Sequence, residues 1–107
     1  MPHYLIQVSY AAQATKALVE NPQTRREVVA KTCESVGGRM HSLFFCFGEY
    51  DVALLAEFPN NEAAAAVALA TSSSGALSKY RTTPLLTPEE AMSAMTLAQK
   101  ASYTPPA

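Results

Sequence analysis

The sequence predicts an α+β fold in which a four-stranded antiparallel sheet carries helices on one face and a further helix follows at the carboxyl end. Three observations point there. First, Phe44-Phe45-Cys46-Phe47 and Tyr50-Asp51-Val52-Ala53-Leu54-Leu55 meet at Gly48-Glu49. Aromatic and β-branched residues favour strands, and a Gly-X pair suits a type II′ hairpin turn, whose first central position needs a positive φ. Second, alternating apolar segments stand near both ends of the chain, at residues 4–10 and 77–86. Third, helical patterns flank the hairpin, stopped by Gly37-Gly38 on one side and opened by Pro59-Asn60-Asn61 on the other.

Along the chain, residues 4–10 form the first strand, with Tyr4, Ile6, Val8 and Tyr10 facing the helices and Leu5, Gln7 and Ser9 facing away. Residues 11–36 read as helix in two pieces, 11–20 and then onward from Pro22, with Asn21 as cap and proline at the first helical position. Residues 39–47 and 50–58 are the hairpin strands. Asn60 or Asn61 caps a second helix that starts at Glu62 and runs through alanines to Ser72-Ser73-Ser74-Gly75. Residues 77–86 form the fourth strand, and Pro84 implies an edge position or a strand end because proline cannot donate to a ladder. Thr87-Pro88-Glu89-Glu90 is a capping box with proline at the first helical position, opening a helix that ends near Lys100. This order is the split βαβ arrangement (βαββαβ) of ferredoxin-like domains with one added helix. Helices cover one sheet face, so the other must meet water, a ligand or a second sheet.

A chain of 107 residues holds one core, here a single domain over residues 1–101 with a flexible, proline-ended tail at 102–107. Its apolar share of 49%, charged share of 16% and net charge of -1 supply no electrostatic footprint for nucleic acid. So few charges over so much apolar surface point to a homo-oligomer in which another subunit covers part of the exterior. No long apolar run reads as a membrane span, and Met1-Pro2-His3-Tyr4 enters a strand instead of a basic segment with a signal core. The expected location is the cytoplasm, no membrane is an expected partner, and Cys33 and Cys46 are read as reduced, buried small hydrophobes.

Gly37-Gly38-Arg39, the run Phe45-Cys46-Phe47-Gly48-Glu49-Tyr50-Asp51-Val52, the alanine-rich helix and Arg81-Thr82-Thr83 before Thr87-Pro88-Glu89-Glu90 resemble the GYD-domain proteins. Ala14 departs from the glycine that many relatives carry after a glutamine like Gln13. The resemblance implies membership of the dimeric α/β-barrel superfamily, which also contains antibiotic-biosynthesis monooxygenases, muconolactone isomerases and chlorite-dismutase-like haem proteins. It transfers no catalytic residue.

Phasing the hairpin from Gly48-Glu49 puts Phe47 opposite Tyr50 and Cys46 opposite Asp51. Leu43, Phe45, Phe47, Tyr50, Val52 and Leu54 then share the core face, and Met40, Ser42, Phe44, Cys46, Asp51, Ala53, Leu55 and Glu57 share the open face. On the open face Asp51 is the candidate general base or substrate anchor. The competing reading makes it an acceptor of backbone N–H groups beside the turn, or a partner of Arg81. Tyr50 and Arg81 complete the candidate set, although Tyr50 also reads as a core aromatic and Glu49 as a solvated turn residue. His3 and His41 lie on different strands with no third ligand at a recognisable spacing, so no metal site is predicted, and no axial-ligand context suggests haem. No other cofactor is predicted.

Two functions fit. The chain binds a small molecule in a cavity on the open sheet face, with or without cofactor-free catalysis; or it is a non-catalytic oligomer whose open face is only a subunit interface. Whether it is an enzyme is left open, and fold alone does not decide.

Overall fold

A computed structural model describes all 107 residues. The elements run β1 (His3–Tyr10), α1 (Ala12–Glu20), α2 (Arg26–Glu34), β2 (Arg39–Phe45), β3 (Val52–Glu57), α3 (Asn61–Ser72), β4 (Leu77–Leu85) and α4 (Pro88–Lys100). The strands form one sheet in the order β2-β3-β1-β4, antiparallel throughout. Pro84 lies on an edge strand, as its missing N–H requires.

The period-2 pattern sorts the sheet. Tyr4, Ile6 and Val8 of β1 and Val52, Leu54 and Ala56 of β3 are buried on one face, together with Leu43 of β2. Helices α2 and α3 close over them with Cys33, Ala64 and Val67, and Phe58 fills the end of the layer. Completely buried side chains of this size stabilise by about 1.5–3 kcal/mol each. The alanines of α3 suit a helix, and the Asn60 side chain caps it by accepting the Ala63 N–H at 2.9 Å. The Tyr4 hydroxyl donates to Asn61 Oδ1 at 2.7 Å, so the buried ring keeps a satisfied polar end. At α4 both halves of the Thr87–Glu90 capping box form.

The two glycines before β2 have separate reasons. Gly37 sits at φ 83, and the Gly38 N–H reaches back to the Cys33 carbonyl at 2.9 Å, the closing bond of a left-handed helix end. Gly38 lies against β3: a Cβ there would stand 2.5 Å from Phe58 Cδ1 and 2.6 Å from the Glu57 carbonyl oxygen.

Four expectations are corrected. Helix α2 begins at Arg26, not at Pro22, because the chain turns through Arg25 in the left-handed region (φ 62). The hairpin register is as phased, with Phe45 opposite Val52, but the strands stop there and Gly48 has no positive φ, so no II′ turn forms. The Asp51 N–H is drawn to the Val8 carbonyl instead, which peels residues 46–51 away from strand geometry. Alternation therefore does not reach Cys46, Phe47 or Tyr50: Cys46 and Phe47 are exposed, Tyr50 is half-buried outside the core, and Phe45 is half-covered on an edge strand. Finally, the pairing shifts between Met40–Ala56 and Ser42–Leu55, leaving His41 as an extra residue in β2. This bulge puts Met40 on the core side, against the open-face expectation.

Candidate functional site

An apolar cavity of about 350 Å³ lies on the helix-covered face of the sheet, not on the open face where the sequence suggested one. Its floor is Ile6, Val8, Val52 and Leu54; α2 contributes Val29, Thr32 and Cys33, and α3 contributes Val67 and Thr71. Its walls are short side chains, Val28, Val29, Thr32 and Cys33 of α2 and Val67, Ala70 and Thr71 of α3, which leave the space over the sheet unfilled.

The polar groups in this cavity come from β1, β4, both covering helices and Arg25 ahead of α2. Tyr80 of β4 turns inward because Val8, its ladder partner, faces the core. Its buried hydroxyl makes no hydrogen bond of acceptable geometry, while the nearby Thr71 and Thr82 work weakly in favour of its ionised form. Burial disfavours the phenolate, and the charge of a Cys33 thiolate would add to the effect, so the phenol is pushed up to about 12. Tyr10 at the rim is also raised, first by burial, with the neighbouring Arg25 guanidinium working in the opposite direction and Asp51 adding to the rise. The Cys33 thiol is raised by burial and by Glu34, so it is a packing group and not a nucleophile. Arg25 lines the same cavity from its left-handed position and accepts no charge partner; its Nη1 donates to Gln23 Oε1 at 3.1 Å.

The residues singled out in the sequence are placed apart. Asp51 Oδ2 accepts the Tyr10 N–H at 2.9 Å, the Asp51 N–H donates to the Val8 carbonyl at 2.8 Å, and its carbonyl accepts the Cys46 N–H at 2.7 Å. Through these bonds Asp51 ties the mouth of the hairpin to the end of β1. Tyr50 lies under Lys79, whose Nζ is 5.9 Å from the ring centroid. Arg81 stands opposite Gln7 on the open face, and no ion pair or side-chain hydrogen bond joins it to Asp51 or Tyr50. The Glu49 carbonyl accepts the Ser9 hydroxyl at 3.2 Å, so the turn folds back over β1.

At the opposite end of the open face, three neighbouring strands converge. His3 Nε2 is 3.3 Å from Glu57 Oε1, and His41 Nε2 is 3.0 Å from Glu57 Oε2. The two imidazoles are stacked, with centroids 5.5 Å apart and planes 14° from parallel. Partial burial works to raise the Glu57 carboxyl, but the His41 hydrogen bond and the charges of both histidines and the N-terminus outweigh it and hold the group below the usual carboxylate range.

The model of the GYD domain matches residues 4–95. The chain belongs to the GYD-domain family. That family lies within the dimeric α/β-barrel superfamily. No curated protein shows significant sequence similarity to this GYD domain. Among solved structures it is similar to MtbAldR, at 14% identity and a TM-score of 0.58, covering 80% of this chain and 52% of that one. It is also similar to the transcriptional regulator NMB0573 from Neisseria meningitidis, solved as an L-Met complex, at 22% identity and a TM-score of 0.51, covering 81% and 51%. These likenesses concern the fold, and the GYD domain spans about half the length of either chain.

Sequence reasoning about this GYD domain missed Tyr80, Arg25 and Glu57. Tyr80 was visible as an aromatic in an alternating strand, yet only the placement of α2 and α3 shows that its hydroxyl is stranded. Glu57 was placed on the open face correctly, but the partners that give it meaning come from β1 and from a bulge.

Proposed function

We propose that this GYD domain binds a small molecule with an apolar body and one hydrogen-bond-accepting or anionic group in the helix-side cavity, and does so as a homo-oligomer whose open sheet faces meet. The observation that carries the reading is the Tyr80 hydroxyl, buried with no partner on the wall of an apolar cavity of about 350 Å³. An unsatisfied buried hydroxyl costs about 1–3 kcal/mol, and a ligand acceptor offsets that cost. Arg25 supplies a cation on the same lining, which favours a carboxylate or similar head group. The volume suits a small metabolite. NMB0573, solved with L-Met, lends support as a fold analogue whose ligand has both an apolar body and a charged head.

The test is native mass spectrometry of the protein purified from its own host, paired with titration of the anionic apolar fluorophore anilinonaphthalene sulfonate. Ala70→Phe, which fills the cavity from α3, is expected to abolish both the retained mass and probe binding. Tyr80→Phe is expected to weaken the retained ligand by about tenfold, the equivalent of one hydrogen bond of about 1.4 kcal/mol. A retained mass and probe affinity indifferent to both substitutions would remove the cavity as the site.

The oligomer rests on the open face. Phe44 there is 68% exposed, and Leu5, Ala53 and Leu55 flank it half-buried. A face of this composition is what a sheet-to-sheet contact needs.

A further inference from the structure

We infer that His3, His41 and Glu57 form a binding site for a divalent transition-metal ion of the Zn²⁺ class, separate from the helix-side cavity. Three features carry this. The donor set is two imidazoles and one carboxylate, the combination that holds Zn²⁺ in three-ligand sites with an open fourth position. The spacing fits: the donor atoms of all three lie within 4.8 Å of one another, and the two histidine nitrogens stand 3.3 and 3.0 Å from the Glu57 oxygens. Ligand atoms around a tetrahedral ion with bonds of about 2.0–2.1 Å are roughly 3.3 Å apart, so closure needs only small ring rotations. Finally, the backbone itself departs from regularity to make the cluster.

That departure is the bulge in β2. With regular pairing, His41 would alternate to the face opposite Ser42 and away from Glu57. The shift between Met40–Ala56 and Ser42–Leu55 adds one residue, and that residue is His41. Its imidazole lands beside Glu57, whose own ladder partners are Arg39 on β2 and His3 on β1. Bulges re-aim side chains, and they concentrate next to functional sites. Three ligands from three adjacent strands are positioned by main-chain hydrogen bonds and not by a flexible loop, which favours a defined geometry.

The site is reachable. The cluster sits at the end of the sheet, where β1 begins and β3 stops. In the single chain the His3 and His41 side chains are 36% and 30% exposed and Glu57 is 18% exposed, so the ion enters from that end and not through the middle of the open face. It keeps a coordination position for water or an exogenous anion. The chain has one exposed thiol, Cys46, which lies beyond the far end of β2. A hydrogen-bonded His–Glu–His cluster without metal is the competing account, and the two differ in what added metal does.

The experiment is isothermal titration of the apo-protein with Zn²⁺, with Co²⁺ absorption spectra as the reporter of ligand type. The expected result is one ion per chain and a visible Co²⁺ spectrum without thiolate-to-metal charge-transfer bands, both unchanged in Cys46→Ser. Single substitutions His3→Gln, His41→Gln and Glu57→Gln are each expected to weaken Zn²⁺ by at least the 10–100-fold that losing a mere outer-sphere partner costs. Circular dichroism of each variant checks that the sheet persists, and deletion of His41, which restores regular pairing while removing one ligand, is expected to weaken Zn²⁺ at least as much as His41→Gln. Zn²⁺ binding that survives all three substitutions, or that disappears with Cys46→Ser, would overturn the assignment, as would absence of binding to the folded wild type. None of these outcomes depends on the occupant of the helix-side cavity.

Discussion

At the scale of single residues, Arg25 and Asp51 show how position and chemistry trade against each other. Arg25 is the one non-glycine residue with a positive φ, at 62°. That conformation costs an L-residue roughly 1–2 kcal/mol. Arg25→Gly is therefore expected to raise the melting temperature while weakening an acidic ligand of the cavity, a stability gain with a binding loss that thermal melts with and without anilinonaphthalene sulfonate will separate. Asp51 holds three main-chain hydrogen bonds at the junction of β1 and the hairpin. Asp51→Asn, which keeps an acceptor for the Tyr10 N–H, should lower stability by about 1 kcal/mol, and Asp51→Ala, which orphans that donor, by about 1–3 kcal/mol in urea melts. Tyr80 gives the pH dependence. Its folded pKa, about 12, lies above the ordinary 10.0, so the folded state holds the proton longer than the unfolded chain. The stability this gives is complete below pH 10 and is lost as pH rises toward 12. Tyr80→Phe should flatten that alkaline decline relative to wild type in denaturant titrations run at successive pH values.

At the scale of elements, the close approach of Gly38 to β3 makes a sharp forecast. Any Cβ there meets backbone, the Glu57 carbonyl, as well as the Phe58 ring, and backbone has nowhere to go. Gly38→Ala should cost about 1–3 kcal/mol by urea denaturation, whereas Gly48→Ala, with open space around it, should cost little. Those elements whose signals are local were legible in the sequence. The Thr87-Pro88-Glu89-Glu90 box starts α4 as read, Asn60 caps α3, and the Phe45–Val52 register follows from counting outward from Gly48-Glu49. The rest depended on distant partners. Asp51 abandons the strand because β1 offers it the Val8 carbonyl and the Tyr10 N–H. The extra residue at His41 carries no glycine or proline to announce it, and neither the histidine–glutamate cluster nor the stranded Tyr80 hydroxyl exists until three strands, or a strand and two helices, are assembled.

At the scale of the whole molecule, the chain is more extended than its mass requires. Its radius of gyration is 17.1 Å, against about 13 Å for a compact domain of this length. It exposes 7470 Å², where a compact monomer of 11.5 kDa exposes about 5,800 Å². The surplus is about twice the roughly 800 Å² that one partner contributes to a standard interface. Sedimentation at micromolar concentration is expected to show a dimer or higher oligomer, and a monomer alone would count against the open-face contact. Much of the surplus belongs to α4, where Met92, Met95 and Leu97 are each at least 64% exposed and Ala91 alone is half-covered.

The capping box of α4 then has a consequence in solution. A helix of 13 residues with no surface of its own chain to lie on is marginal in water, since isolated helices of that length barely offset the cost of nucleation. Its two reciprocal cap bonds bring it near balance, and in the proposed oligomer contact with a neighbouring copy would supply the remainder. The helical content of this protein should accordingly obey mass action. Far-ultraviolet ellipticity at 222 nm is expected to fall on dilution through the dissociation range, with the tertiary tyrosine signal of the sheet unchanged, and Thr87→Ala should shift that fall to higher protein concentration. Ellipticity that stays constant while sedimentation records dissociation would mean that α4 stands by its caps alone.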